Sequence, residues 1–130
     1  MAQRKDSEIR LGRLELQIMG VVWKRGKATV HDVKEALSQG RKPAYSTILT
    51  MMRKLEAKGY LEHEVHDRTY VYRAIISRQA VRHGLLGDLV DRLFEGSASL
   101  LLTSLVEQNR VSAKELREIQ QLIEKRRGKK

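Results

Sequence analysis

The stretch 44-AYSTILTMMRKLEAK-58, followed at once by Gly59, decides how this sequence reads. Ile48, Met51, Met52 and Leu55 recur at the spacing of one α-helical face. Ser46, Thr47, Thr50, Arg53 and Lys54 fall on the other face. Gly59 stands where a helix ends in a left-handed residue. The reading predicts a helix with one anchored face and one face of short hydrogen-bonding groups and cations. Met51 and Met52 read as core fillers. Taken alone, the polar face suits any solvated surface helix, so its meaning depends on what flanks it.

Upstream, residues 14–24 are helical, with Leu14, Ile18, Val21 and Val22 on one stripe and Leu16, Met19 and Trp23 on a second. Two stripes on so short a helix predict that it is mostly buried, and Gly26 ends it. Residues 29–38 form a second helix, capped by Thr29 with Asp32 three positions on. Gly40 and Pro43 punctuate the loop that follows. Downstream, residues 61–65 and 69–73 alternate, with His66, Asp67 and Arg68 between them, which predicts a β-hairpin. From Ser77 onward the chain is helical. Gly96 breaks the first of three helices, Ser97 caps the second, and Ser112 with Glu115 forms a capping box on the third.

The fold expected is mainly α with a small β-hairpin wing: a winged helix-turn-helix over residues 11–76, a loose polar arm over 1–10, and a helical dimerisation region over 77–130. The last three helices are too few and too apolar to stand as a separate monomeric domain. The apolar positions expected to pair with a second copy are Leu85, Leu89, Val90, Leu93, Phe94, Leu101, Leu105, Leu116, Ile119 and Ile123.

Charge narrows the class of partner. Of 130 residues, 26 are Lys or Arg and 16 are Asp or Glu, a formal net charge of +10. The excess favours a polyanion. It is spread over both parts, with 15 basic and 9 acidic groups in residues 1–76 and 11 and 7 in the rest, so it belongs to folded surfaces. There is no cysteine, which excludes a disulfide framework, a thiolate metal site and a thiol nucleophile. The sequence offers neither an N-terminal apolar leader nor a long apolar run, so the expectation is a cytoplasmic protein without membrane insertion.

A helix between a capped helix and a hairpin is placed as a recognition helix. Such a helix enters the major groove, where each base pair presents a distinct edge. Ser46, Thr47 and Thr50 are the groups that would read bases, with Tyr45 at the helix start. Arg53 and Lys54 would reach phosphates. Arg68 at the hairpin turn would touch backbone or minor groove, with Arg73 at the wing's base. The partner expected is double-stranded operator DNA, bound by a homodimer. The alternative is a basic RNA- or protein-binding module without operator specificity. Only six aromatic residues are present to stack unpaired bases, and Trp23 and Phe94 lie on apolar faces.

The stretches LQIMGVVWKRGKATVHDVKEAL, AYSTILTMMRKLEAKGYLEHE and RTYVYRAIISR resemble the penicillinase-repressor family. The resemblance runs from about Leu11 to Lys125. It implies a homodimeric repressor whose N-terminal winged helix binds half of a palindromic operator. It also implies that Ser46, Thr47 and Thr50 read bases while Tyr45, Arg53 and Lys54 flank them. In the best-known members a membrane-bound zinc metalloprotease receptor triggers cleavage of the repressor between an Asn and a Phe, in the dimerisation region. Ser104 and Leu105 stand at that place here. A copper-responsive branch carries a C-terminal cysteine motif, which this sequence lacks.

Two motifs are set aside. Residues 20–28 have a likeness to a phosphate-binding P-loop, but the glycines are one residue too far apart and Ala28 replaces the required Ser or Thr. His63-Glu64-Val65-His66 is one residue short of a zinc-protease helix and reads as strand. No nucleophile–base–acid set emerges, and neither an enzymatic activity nor a cofactor is expected.

Overall fold

The computed structural model describes residues 9–38, 40 and 42–128. Of the arm expected over residues 1–10, residues 1–8 lie outside them, while Ile9 is 2% exposed and belongs to the core. The chain divides into two compact units, Met1–Gly87 and Asp88–Lys130.

In the first unit, α1 (Arg13–Arg25) starts at Gly12, whose N–H donates to the Glu15 carboxylate at 2.9 Å, and stops at Gly26, where φ is 84°. Ile18, Met19 and Val22 are buried. Leu14, Val21 and Trp23 pack part-buried against the core, so both stripes reach it, and of the two only Leu16 is exposed, at 39%. α2 (Val30–Ala36) begins as read: Asp32 N–H donates to Thr29 Oγ1, and Thr29 N–H to Asp32 Oδ2, both at 3.0 Å. α3 (Tyr45–Ala57) buries Ile48, Met52 and Leu55 completely and ends at Lys58, before Gly59 at φ 87°.

β1 (Leu61–His66) and β2 (Thr69–Ala74) pair antiparallel from Leu61 opposite Ala74 to His66 opposite Thr69. The connection is two residues, Asp67 and Arg68, at φ 49° and 69°. It is tighter than the three-residue link read from the sequence, because His66 extends the ladder. Ala28 adds a single bridge to Tyr72, with N–H···O bonds of 2.9 and 2.8 Å. This stub ties the hairpin to the link between α1 and α2. The segment around His63 is therefore strand, and His63 and His66 face opposite sides of it.

α4 (Arg78–Leu93) starts on Ser77, whose Oγ accepts from Ala80 N–H. Its first turns pack on the first unit through buried Val81. Trp23 Nε1–H donates to Ile76 carbonyl at 2.9 Å, and the Arg78 guanidinium lies 5.3 Å from the Trp23 ring centre.

In the second unit, α5 (Ala98–Glu107) is capped by Ser97 and α6 (Ala113–Gly128) by the Ser112–Glu115 box. Neither helix has a buried residue. Leu93, Leu122 and Ile123 are more than half exposed. Among the described residues no helix is long and apolar enough to cross a membrane.

Candidate nucleic-acid interface

α3 is held from behind. Its buried Ile48, Met52 and Leu55 rest on a core shared with α1, α2 and the hairpin. Anchoring that face leaves Tyr45, Ser46, Thr47, Thr50, Arg53 and Lys54 exposed on one continuous surface. The hydroxyl groups occupy the first half of the helix and the cations follow about one turn after Thr50, which is the order a groove-entering helix needs.

The charge of Lys54 is felt by Glu15, whose pKa it helps to lower, without an ion-pair contact between them. Four cations of the first unit are paired: Arg25 with Asp32, Lys27 with Glu64, Lys58 with Glu15 and Arg73 with Glu62. Arg73, read as a contact at the wing's base, is thus engaged across the hairpin. Among the described residues Arg53, Lys54 and Arg68 form no ion pair with a carboxylate. Arg68 occupies the tip of the wing.

Two polar contacts brace the surface. At one side Glu15, whose side chain is 9% exposed, receives Lys58 Nζ at 2.9 Å and Gly12 N–H at 2.9 Å. Burial alone would raise its pKa. The Gly12 N–H and the hydrogen bond and charge of Lys58 outweigh that, and the carboxyl lies below its ordinary value. At the other side the Glu56 carboxylate of α3 lies 2.8 Å from His63 Nδ1 on β1. The His63 ring stacks on Tyr70 at 3.9 Å, 8° from parallel. Deeper in, Tyr72 is fully buried, and burial, seconded by the Glu56 charge, raises its phenol pKa.

Sequence reading brought Tyr45, Ser46, Thr47, Thr50, Arg53, Lys54 and Arg68 to one side of the unit, and each is exposed there. It missed Glu56, His63 and Tyr70. Alternation does put His63 and Tyr70 on the same face of a hairpin, but the pairing with Glu56 depends on how the hairpin docks on α3.

Three packed helices, an outward third helix with unpaired cations and an antiparallel wing define the winged-helix class of DNA-binding transcription regulators. The penicillinase repressor family model matches residues 11–125. The penicillinase repressor of Bacillus licheniformis is 27% identical over 116 residues, covering 89% of this chain and 91% of that protein. A transcriptional regulator of Mycobacterium tuberculosis named BlaI is 34% identical over 101 residues, 76% of this chain and 73% of that protein. A solution structure of the DNA-binding domain of the repressor BlaI is 31% identical, covers 60% of this chain and 93% of that one, and superposes with a TM-score of 0.50. The chain belongs to the penicillinase repressor family, whose members are transcriptional repressors and not enzymes.

Proposed function

We propose that this chain represses transcription by binding a palindromic operator as a homodimer. One observation carries the reading: the exposed face of α3 groups three short hydroxyl side chains with Arg53 and Lys54, whose charges no described carboxylate pairs, and Arg68 adds a third such charge from the wing. Ser46, Thr47 and Thr50 read base edges, with Tyr45 beside them. Arg53 and Lys54 hold phosphates, and Arg68 reaches backbone or minor groove.

The C-terminal region supplies the second copy. Leu89, Val90, Leu93, Phe94, Leu101, Leu105, Leu116, Ile119 and Ile123 pair with their equivalents, and Leu85, part-buried against the winged-helix core, closes the set. Exposure of Leu93, Leu122 and Ile123 in the single chain supports this. Release follows from loosening that region. A membrane zinc metalloprotease is the partner the family resemblance suggests for it. Ser104 and Leu105 lie inside α5, with Ser104 Oγ–H bonded to the Leu100 carbonyl, so a protease acting there must first unwind the helix.

The test is selection of bound duplexes from a random pool, followed by affinity measurements across salt. Binding to the selected sequence should fall steeply with salt as phosphate contacts displace counterions. Thr47→Ala should relax the sequence preference. Lys54→Ala should weaken all duplexes alike and reduce the salt slope by about one. A flat salt response, or equal affinity for every duplex, would sink the reading.

A further inference from the structure

Between α3 and the wing lies a groove of about 480 Å³. Tyr45, Leu49 and Arg53, at i, i+4 and i+8 of α3, form one wall, Arg68, Thr69 and Tyr70 of the wing form the other, and Thr29, Val30 and His31 at the start of α2 complete the lining. None of the lining residues is acidic. Two guanidinium groups, two phenols, two threonine hydroxyls and the His31 imidazole therefore line one concavity with no carboxylate among them. The chemistry they share is recognition of an oxyanion.

The walls say which one. One wall is the side of α3 that carries Tyr45 and Arg53, next to the base-reading hydroxyls but not including them, and the other is the tip of the wing. With the helix in the major groove and the wing reaching past it, the strand between them runs through this gap. We infer that the groove seats that strand's sugar-phosphate backbone and that Tyr70 is a DNA contact, its phenol donating to a phosphate oxygen. The inference rests on the DNA-binding reading above.

Tyr70 is 43% exposed, yet its ring is already held, stacked on His63, which the Glu56 carboxylate fixes to α3. A donor aligned before binding loses little freedom on contact. His63 is accordingly a positioning residue: it touches no DNA and acts through Tyr70.

Phosphate contacts carry no sequence information, so the probe is a random-sequence duplex, titrated with the full chain over a range of salt. Tyr70→Phe should lose about tenfold in affinity, the size of one hydrogen bond to a charged group, with the salt slope unchanged because a phenol carries no charge. Arg53→Gln should lower the slope by about one. His63→Ala should weaken binding in the wild-type background and do nothing further once Tyr70 is Phe, which a general loss of structure would not do. If Tyr70→Phe binds as tightly as wild type at equal melting temperature, the inference is overturned and the DNA-binding reading stands. If the wild type binds no duplex in a salt-dependent way, both fall.

Discussion

Glu15 shows how much a single side chain organises. It caps the start of α1 through Gly12 and clamps the end of α3 through Lys58, 43 residues away. Its carboxyl lies below the ordinary 4.5, so the folded state prefers it ionised. Stability from this group is present in full above about pH 4.5 and is lost as pH falls through the lower folded-state value. Asp32, held below its ordinary 3.8 chiefly by the Thr29 N–H, works in the same direction. Glu15→Gln should therefore cost about 1–3 kcal/mol near neutrality, since Lys58 and Gly12 lose a charged partner. It should also make the acid limb of a melting-temperature profile shallower than in wild type. An acid limb identical to wild type would refute this role. None of it was legible beforehand: in the sequence Glu15 is only an acidic residue in a first helical turn, and its partner lies beyond a helix, two loops and another helix.

The elements were far more legible than the contacts between them. Thr29 with Asp32, Gly26, Gly59 and Ser97 announced helix ends because capping is a local interaction, complete within four residues. The face of α3 was legible because buried Ile48, Met52 and Leu55 repeat at helical spacing. The site residues on that face came with it, whereas Tyr70 and its support by His63 needed the docking of one element on another. The wing's turn escaped for a different reason. Positive φ at two successive residues suits Asn-Gly or Asp-Gly, and here Arg68 occupies the place where glycine is expected, at φ 69°. A side chain with a Cβ is held there at a cost in conformational energy. Arg68→Gly should thus raise stability by up to about 1 kcal/mol while lowering the salt slope of DNA binding by about one. Thermal melts and titrations on the same protein would separate the two effects. Loss of both stability and binding would mean that the turn is not strained.

At the scale of the whole molecule, the reading turns on what covers the last two helices. Leu93 and Ile123 are 66% and 53% exposed in the single chain, so charges placed there disturb its own fold little. In a dimer interface the same charges would be desolvated without partners. The double variant Leu93→Asp, Ile123→Asp should sediment as a monomer at a concentration where wild type is dimeric. It should also bind the selected palindrome at least a hundredfold more weakly, because the second half-site loses its effective concentration. A wild type that is already monomeric at micromolar concentration would refute the assembly.

Ile9 carries a different consequence, one about where the cooperative unit begins. It fills the core ahead of every helix, and the next residue is gripped twice, Arg10 N–H by the Tyr60 phenol oxygen and Arg10 carbonyl by Lys58. A trypsin cut after Arg10, or a translation start shifted past it, would pull this plug and leave a hole of isoleucine size, a loss of about 2–5 kcal/mol. The exposed residues of α3 would all remain, with Lys58 losing its bond to the Arg10 carbonyl. The defect would surface as thermal fragility and rapid turnover, a repressor correct in every contact and short of survivors.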